Sequence, residues 1–168
     1  MIKRLSIATV LVLVMIASSS GHQGTDWVKV SPLGGGFTVM MPGPAEEETK
    51  AESDYSSHTF IAKTKETIFL VSYGDYAPSI RLNVAGELTA NRDNFVKNLG
   101  AKLIESKDMV MDGRPGLEFT AESDRLTAKC RVYLFGNRVF MIAAAVWKGN
   151  TDPENVDRFV SSFAFTKS

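Results

Sequence analysis

Cysteine and histidine are nearly missing from this 168-residue sequence: Cys130 is the only thiol, and His22 and His58 are the only imidazoles. A single cysteine excludes an internal disulfide, so the folded chain depends on packing. Two histidines leave little room for nucleophilic catalysis, because a Ser-His-Asp or Cys-His site needs an imidazole within reach of the nucleophile. His22 lies just behind a targeting segment, which leaves His58 as the base, with Ser56 and Ser57 too close along one strand to be approached. No Gly-x-Ser-x-Gly elbow is present, and His58 reads as a polar residue at a strand edge. Excess charge is missing as well, with 19 basic against 19 acidic side chains. A balanced chain raises no long-range field to gather a phosphate backbone, so nucleic acid is not an expected partner. The longest apolar run, residues 5–17, falls short of the roughly 18 residues that a spanning helix requires.

That run has the form of an export signal. Lys3 and Arg4 precede it, and Ser18, Ser19, Ser20 and Gly21 supply the small residues of a cleavage region. No cysteine stands there to carry a lipid. Residues 1–20 are therefore expected to be removed, leaving residues 21–168 as one exported domain without a membrane span, periplasmic or secreted. The remainder holds 17 basic and 19 acidic side chains, a charge of −2.

Within that domain, residues 27–30 and 36–41 read as strands separated by Ser-Pro-Leu-Gly-Gly, and Pro42-Gly43-Pro44 ends the second. Residues 45–54 carry five acids and no large apolar side chain, and read as a solvated loop. Residues 57–62 and 67–73 form a hairpin. Between Val84 and Leu99 the period changes. Ala85, Leu88, Phe95, Val96 and Leu99 make a helical stripe, interrupted by Asn91 and Arg92 and ended at Gly100. Residues 102–111 and 116–123 flank the turn Asp112-Gly113-Arg114-Pro115. Leu126, Ala128, Cys130, Val132 and Leu134 then alternate with polar neighbours as in a half-buried strand. Gly136-Asn137 joins that strand to residues 138–147, whose unbroken apolar run requires cover on both faces. Thr151, Pro153 and Glu154 form a helix start, with Thr151 as cap. Val156, Phe159, Val160 and Phe163 follow at the spacing of a helix lying on a sheet. The expected fold is α+β: one antiparallel sheet of about six to seven strands with two main helices packed on it.

The order Gly-Phe-x-Val-x-Met-Pro, strand pair, helix, Asp112-Gly113-x-Pro115-Gly116-x-Glu118-Phe119, long hairpin and terminal Ser161-Ser162-Phe163-Ala164-Phe165 resembles the small exported bacterial proteins of the PsbP/Mog-like α/β/α sandwich. The likeness spans nearly the whole mature chain, but its motifs are turns and core positions. It implies a fold, and the named relatives, a photosystem II extrinsic subunit and a Ran-binding protein, imply a protein-binding module without catalysis. No functional residue is carried over, because no binding motif of either is matched.

The other chemical candidates are few. Cys130 lies on the apolar side of its strand, where its thiol is expected to stay buried and protonated. The acids of residues 46–54 lack the alternating spacing that wraps calcium. The run Gly34-Gly35-Gly36 lacks the lysine and helix start of a phosphate loop. Cleavage after Ser19 would create Ser20-Gly21-His22, a square-planar Cu(II) or Ni(II) site centred on His22, but cleavage one or two residues later destroys it. No cofactor is expected. Tyr73, Asp75, Tyr76 and Trp147 lie at strand ends beside loops and are the candidate interaction surface. The expected function is a non-catalytic module for a protein partner at the cell envelope. A carrier of a small apolar ligand is the alternative, and a hydrolase or metal-dependent enzyme comes last.

Overall fold

The computed structural model describes residues 26–166, so the export segment and His22 lie outside the described residues. Alternating apolar and polar side chains build a central antiparallel sheet of seven strands. In chain order the elements are β1 (Trp27–Val30), β2 (Phe37–Pro42), β3 (Glu46–Ala51), β4 (Tyr55–Lys63), β5 (Thr67–Tyr76) and α1 (Val84–Asn98). They continue with β6 (Lys102–Met111), β7 (Arg114–Glu122), β8 (Leu126–Phe135), β9 (Arg138–Trp147), α2 (Pro153–Ser162) and β10 (Ala164–Phe165). The large sheet runs β3-β4-β5-β9-β8-β7-β6, and a separate small sheet runs β1-β2-β10.

The sheet has a core on each face. On one, Leu88 and Phe95 of α1 pack with Phe119, Cys130, Val132 and Met141. On the other, Phe159 and Val160 of α2 and Phe37, Val39 and Met41 of β2 pack with Phe69, Val71, Tyr133 and Ile142. Strand β9 lies between β5 and β8 and serves both cores, which accounts for its unbroken apolar run. In α1, the Asn91 that interrupts the apolar stripe is itself buried. Its side-chain amide donates to the Glu87 carbonyl at 2.9 Å and to Glu87 Oε1 at 3.0 Å, so the helix carries its own partner for that polar group.

The expected fold class needs correction. The described residues are mostly β, with 54% in strands and 18% in helices, and their ten strands form two antiparallel sheets of seven and three. Two features that sequence patterning could not separate account for the difference. Strand β2 pairs with β1 on one side and β10 on the other as a second layer, and alternation along a strand does not say which sheet it joins. The acidic stretch read as a loop contains β3, paired with β4 from Glu46↔Ile61 to Ala51↔Ser56. Its acids mark a solvated edge strand, not a missing ladder. Helix α2 also starts one residue later than expected. Asp152 is its N-cap residue, and its carboxylate accepts from the Thr67 hydroxyl at 2.6 Å and from Asn155 Nδ2 at 2.7 Å.

Candidate functional site

Residues of both sheets enclose a groove of about 510 Å³, walled by the β1–β2 loop, the ends of β7, β8 and β9, and β10. Two arginines define it. Asp112 and Gly113, with φ of 50° and 74°, reverse the chain in two residues and place Arg114 at the start of β7. The Arg114 guanidinium lies 4.6 Å from the centre of the Phe135 ring and 4.3 Å from that of Phe165. Among the described residues no carboxylate lies within ion-pair distance of it, and its one hydrogen bond is a long 3.4 Å contact from Nη1 to the Asp112 carbonyl.

Arg138, across the groove, is fully engaged. Its Nε and Nη2 donate to the two Asp75 carboxylate oxygens at 2.6 and 2.7 Å. Its Nη1 donates to the carbonyls of Gly34 and Gly35 at 2.5 and 3.2 Å. Those carbonyls face inward because Gly34 and Gly36 take φ of 74° and 78°, a region closed to most side chains. The Asp75 hydrogen bonds hold the Arg138 guanidinium above its ordinary pKa, against the opposing effect of partial burial. Among the described residues the lip thus carries two cations, of which one is neutralised. It also carries bare apolar surface, since Leu33 is fully exposed and Phe135 is 59% exposed.

The residues singled out in the sequence fall in three places. Tyr73 and Asp75 come together around Arg138, Asp75 as its ion-pair partner and Tyr73 as the ring 4.8 Å beneath it. Tyr73 is itself buried and stacks on His58 at 4.8 Å, so it supports the groove from behind. Burial raises its hydroxyl pKa, against the charge of Arg138. Tyr76 is on the opposite face, packed 4.9 Å from Tyr55, with its hydroxyl donating to Glu87. Trp147 ends β9, and at about 3.3 Å per residue it stands some 30 Å from Arg138. It packs against the α1-side core beneath Arg125.

His58 Nδ1 lies 3.1 Å from both Thr49 Oγ1 and Glu47 Oε1 on β3. Cys130 is completely buried, and burial pushes its thiol pKa well up. Among the described residues no three of His, Cys, Asp and Glu are grouped to hold a metal ion. No helix among them is long and apolar enough to cross a membrane. Sequence reasoning passed over Arg114, Phe135 and Phe165. The available signal was an Asp-Gly turn placed directly before an arginine, and an aromatic ending β8 where alternation gives way to the turn.

Two layers of antiparallel sheet, one helix on the outer face of the larger sheet and one beside the smaller, define the PsbP type of fold. The solution structure of cyanobacterial PsbP (CyanoP) from Synechocystis sp. PCC 6803 matches it with a TM-score of 0.60, covering 90% of this chain and 99% of that one. The identity is 14%, so the likeness is one of fold. A crystal structure from Bacteroides thetaiotaomicron VPI-5482 overlaps 87% of this chain and 50% of that chain at 18% identity, but its TM-score of 0.38 carries no weight. No family model and no curated protein matches the sequence.

Proposed function

We propose that the chain is an exported, non-catalytic binding domain that receives a protein partner of the cell envelope in the groove between its two sheets. The observation that carries this reading is the state of Arg114: a cation packed against two aromatic rings, without a counter-ion among the described residues, beside exposed Leu33 and Phe135. Apolar side chains and an uncompensated charge at one lip are the components of a recognition surface, and the ordered strands behind them keep the ordering cost low. The PsbP-type fold is compatible with such a scaffold role, and export rests on Lys3, Arg4 and the apolar run that follows.

A carrier holding an apolar molecule between helix and sheet is the weaker reading. Those interfaces are filled by ring contacts, with Phe95 and Phe119 centred 5.9 Å apart under α1 and Phe69 and Phe159 5.2 Å apart under α2.

Two measurements test the proposal. The intact mass of protein recovered from the periplasm or medium is expected to place the N-terminus between Ser19 and Gly24, and a species retaining Lys3 contradicts export with cleavage. Phe135→Asp is expected to leave the unfolding midpoint in place and abolish partner recovery. Undiminished recovery removes the groove from the interaction.

A further inference from the structure

We infer that the groove recognises a carboxylate on an apolar body, anchored by Arg114, and that the carboxylate is the free C-terminus of the partner chain. This rests on the protein-binding role proposed above. The rings of Phe135 and Phe165 both pack against the Arg114 guanidinium, at 4.6 and 4.3 Å, and hold it in place at the lip. Only one of its N–H donors has an acceptor among the described residues, the Asp112 carbonyl at 3.4 Å. A planar fork of donors fixed by two rings matches the two oxygens of a carboxylate and loses little freedom on binding it.

The charge count selects among anions. Asp75 neutralises Arg138, so among the described residues the lip presents one uncompensated positive charge, which suits a monoanion and not a phosphate dianion. The exposed Leu33 and Phe135 beside it require that the anion carry apolar groups. A concavity of about 510 Å³ has room for the last residues of a chain. The lip is also unsuited to strand addition, because Arg138 already occupies the Gly34 and Gly35 carbonyls.

The experiment is a calorimetric titration of the mature protein with the peptide acetyl-Leu-Phe-Leu bearing a free C-terminus, with the same peptide amidated, with 3-phenylpropionate and with inorganic phosphate. The acid peptide is expected to saturate one site, with the amide at least about tenfold weaker and phosphate failing to compete. Arg114→Gln is expected to weaken the acid peptide to the level of the amide, and Arg114→Lys, which keeps the charge and loses the fork, to fall between. Thermal midpoints of both variants report on their folding. Equal binding of acid and amide overturns carboxylate recognition. Binding of 3-phenylpropionate as tight as that of the peptide overturns the chain terminus as its source. Absence of binding by either peptide overturns the inference altogether. The wider binding-domain reading is judged separately, by the loss of partner recovery in Phe135→Asp.

Discussion

Arg138 and Asp75 meet across the β9–β5 boundary as a two-pronged ion pair, with distances of 2.6 and 2.7 Å, and the same guanidinium holds the β1–β2 loop through two glycine carbonyls. One arginine therefore ties the small sheet to the large one at the mouth of the groove. The pair also sets the charge of that mouth, since among the described residues it leaves Arg114 without a counter-ion.

Asp75→Asn is expected to cost about 1 kcal/mol, a modest loss because both side chains of the pair are only partly buried. Its larger effect is to free the Arg138 charge, so phosphate should begin to compete with the carboxylate peptide. Urea unfolding reads the first effect and calorimetric competition the second. An unchanged anion preference contradicts the charge count.

Phe159 of α2 is completely buried against Phe69, whereas Trp147 is only partly buried at the end of β9. Phe159→Ala is expected to lose about 3–5 kcal/mol through the cavity it leaves. Trp147→Ala is expected to lose about 1–2 kcal/mol, in keeping with the smaller area it removes from cover. Denaturant midpoints compare the two, and equal losses place Trp147 in the core.

The Cys130 thiol, sealed between β7, β9 and α1, is expected to react slowly with a thiol reagent in the folded protein and rapidly in denaturant. Equal rates contradict the strand-face assignment.

Stability should fall at both ends of the pH scale. Burial raises the pKa of the Cys130 thiol, and burial also raises that of the Tyr133 hydroxyl, against the neighbouring Arg131. The folded chain keeps these protons where the unfolded chain releases them, so their contribution is complete below the unfolded values. It declines from about pH 8.5 for the thiol and about pH 10 for the phenol. Glu118 behaves oppositely: partial burial opposes its charge, but hydrogen bonds from Lys107 and Arg131 together with their charges outweigh this and lower its pKa. Its contribution is present above about pH 4 and is lost as pH falls through the folded value. Cys130→Ala is expected to delay the alkaline decline, and Glu118→Gln to flatten the acid limb, both read as ΔG of unfolding against pH.

The alternation of Cys130, Val132 and Leu134 and the apolar run of β9 were legible as strands because period and burial follow directly from side-chain chemistry. The stripe of Val156, Phe159 and Val160 was legible for the same reason. The partition into two sheets was not, since nothing in residues 36–41 states that β2 pairs with β1 and β10 while it packs on the large sheet. Strand β3 was hidden because backbone pairing needs no apolar side chain. At the site, Asp75 and Tyr73 were found from their place at a strand end, but their role depends on Arg138, 63 residues from Asp75 along the chain. Arg114 and Phe165 meet only when the terminal strand folds back onto β2, a contact no local pattern encodes.

The most direct measurement of the groove's role is photo-cross-linking in intact cells, with a photoreactive residue placed at Leu33 on the lip or at Trp147 at the far end. A discrete protein adduct is expected from position 33, lost when Arg114→Gln is added, and none from position 147. No adduct from position 33, or one that survives the loss of Arg114, contradicts the role given to the groove.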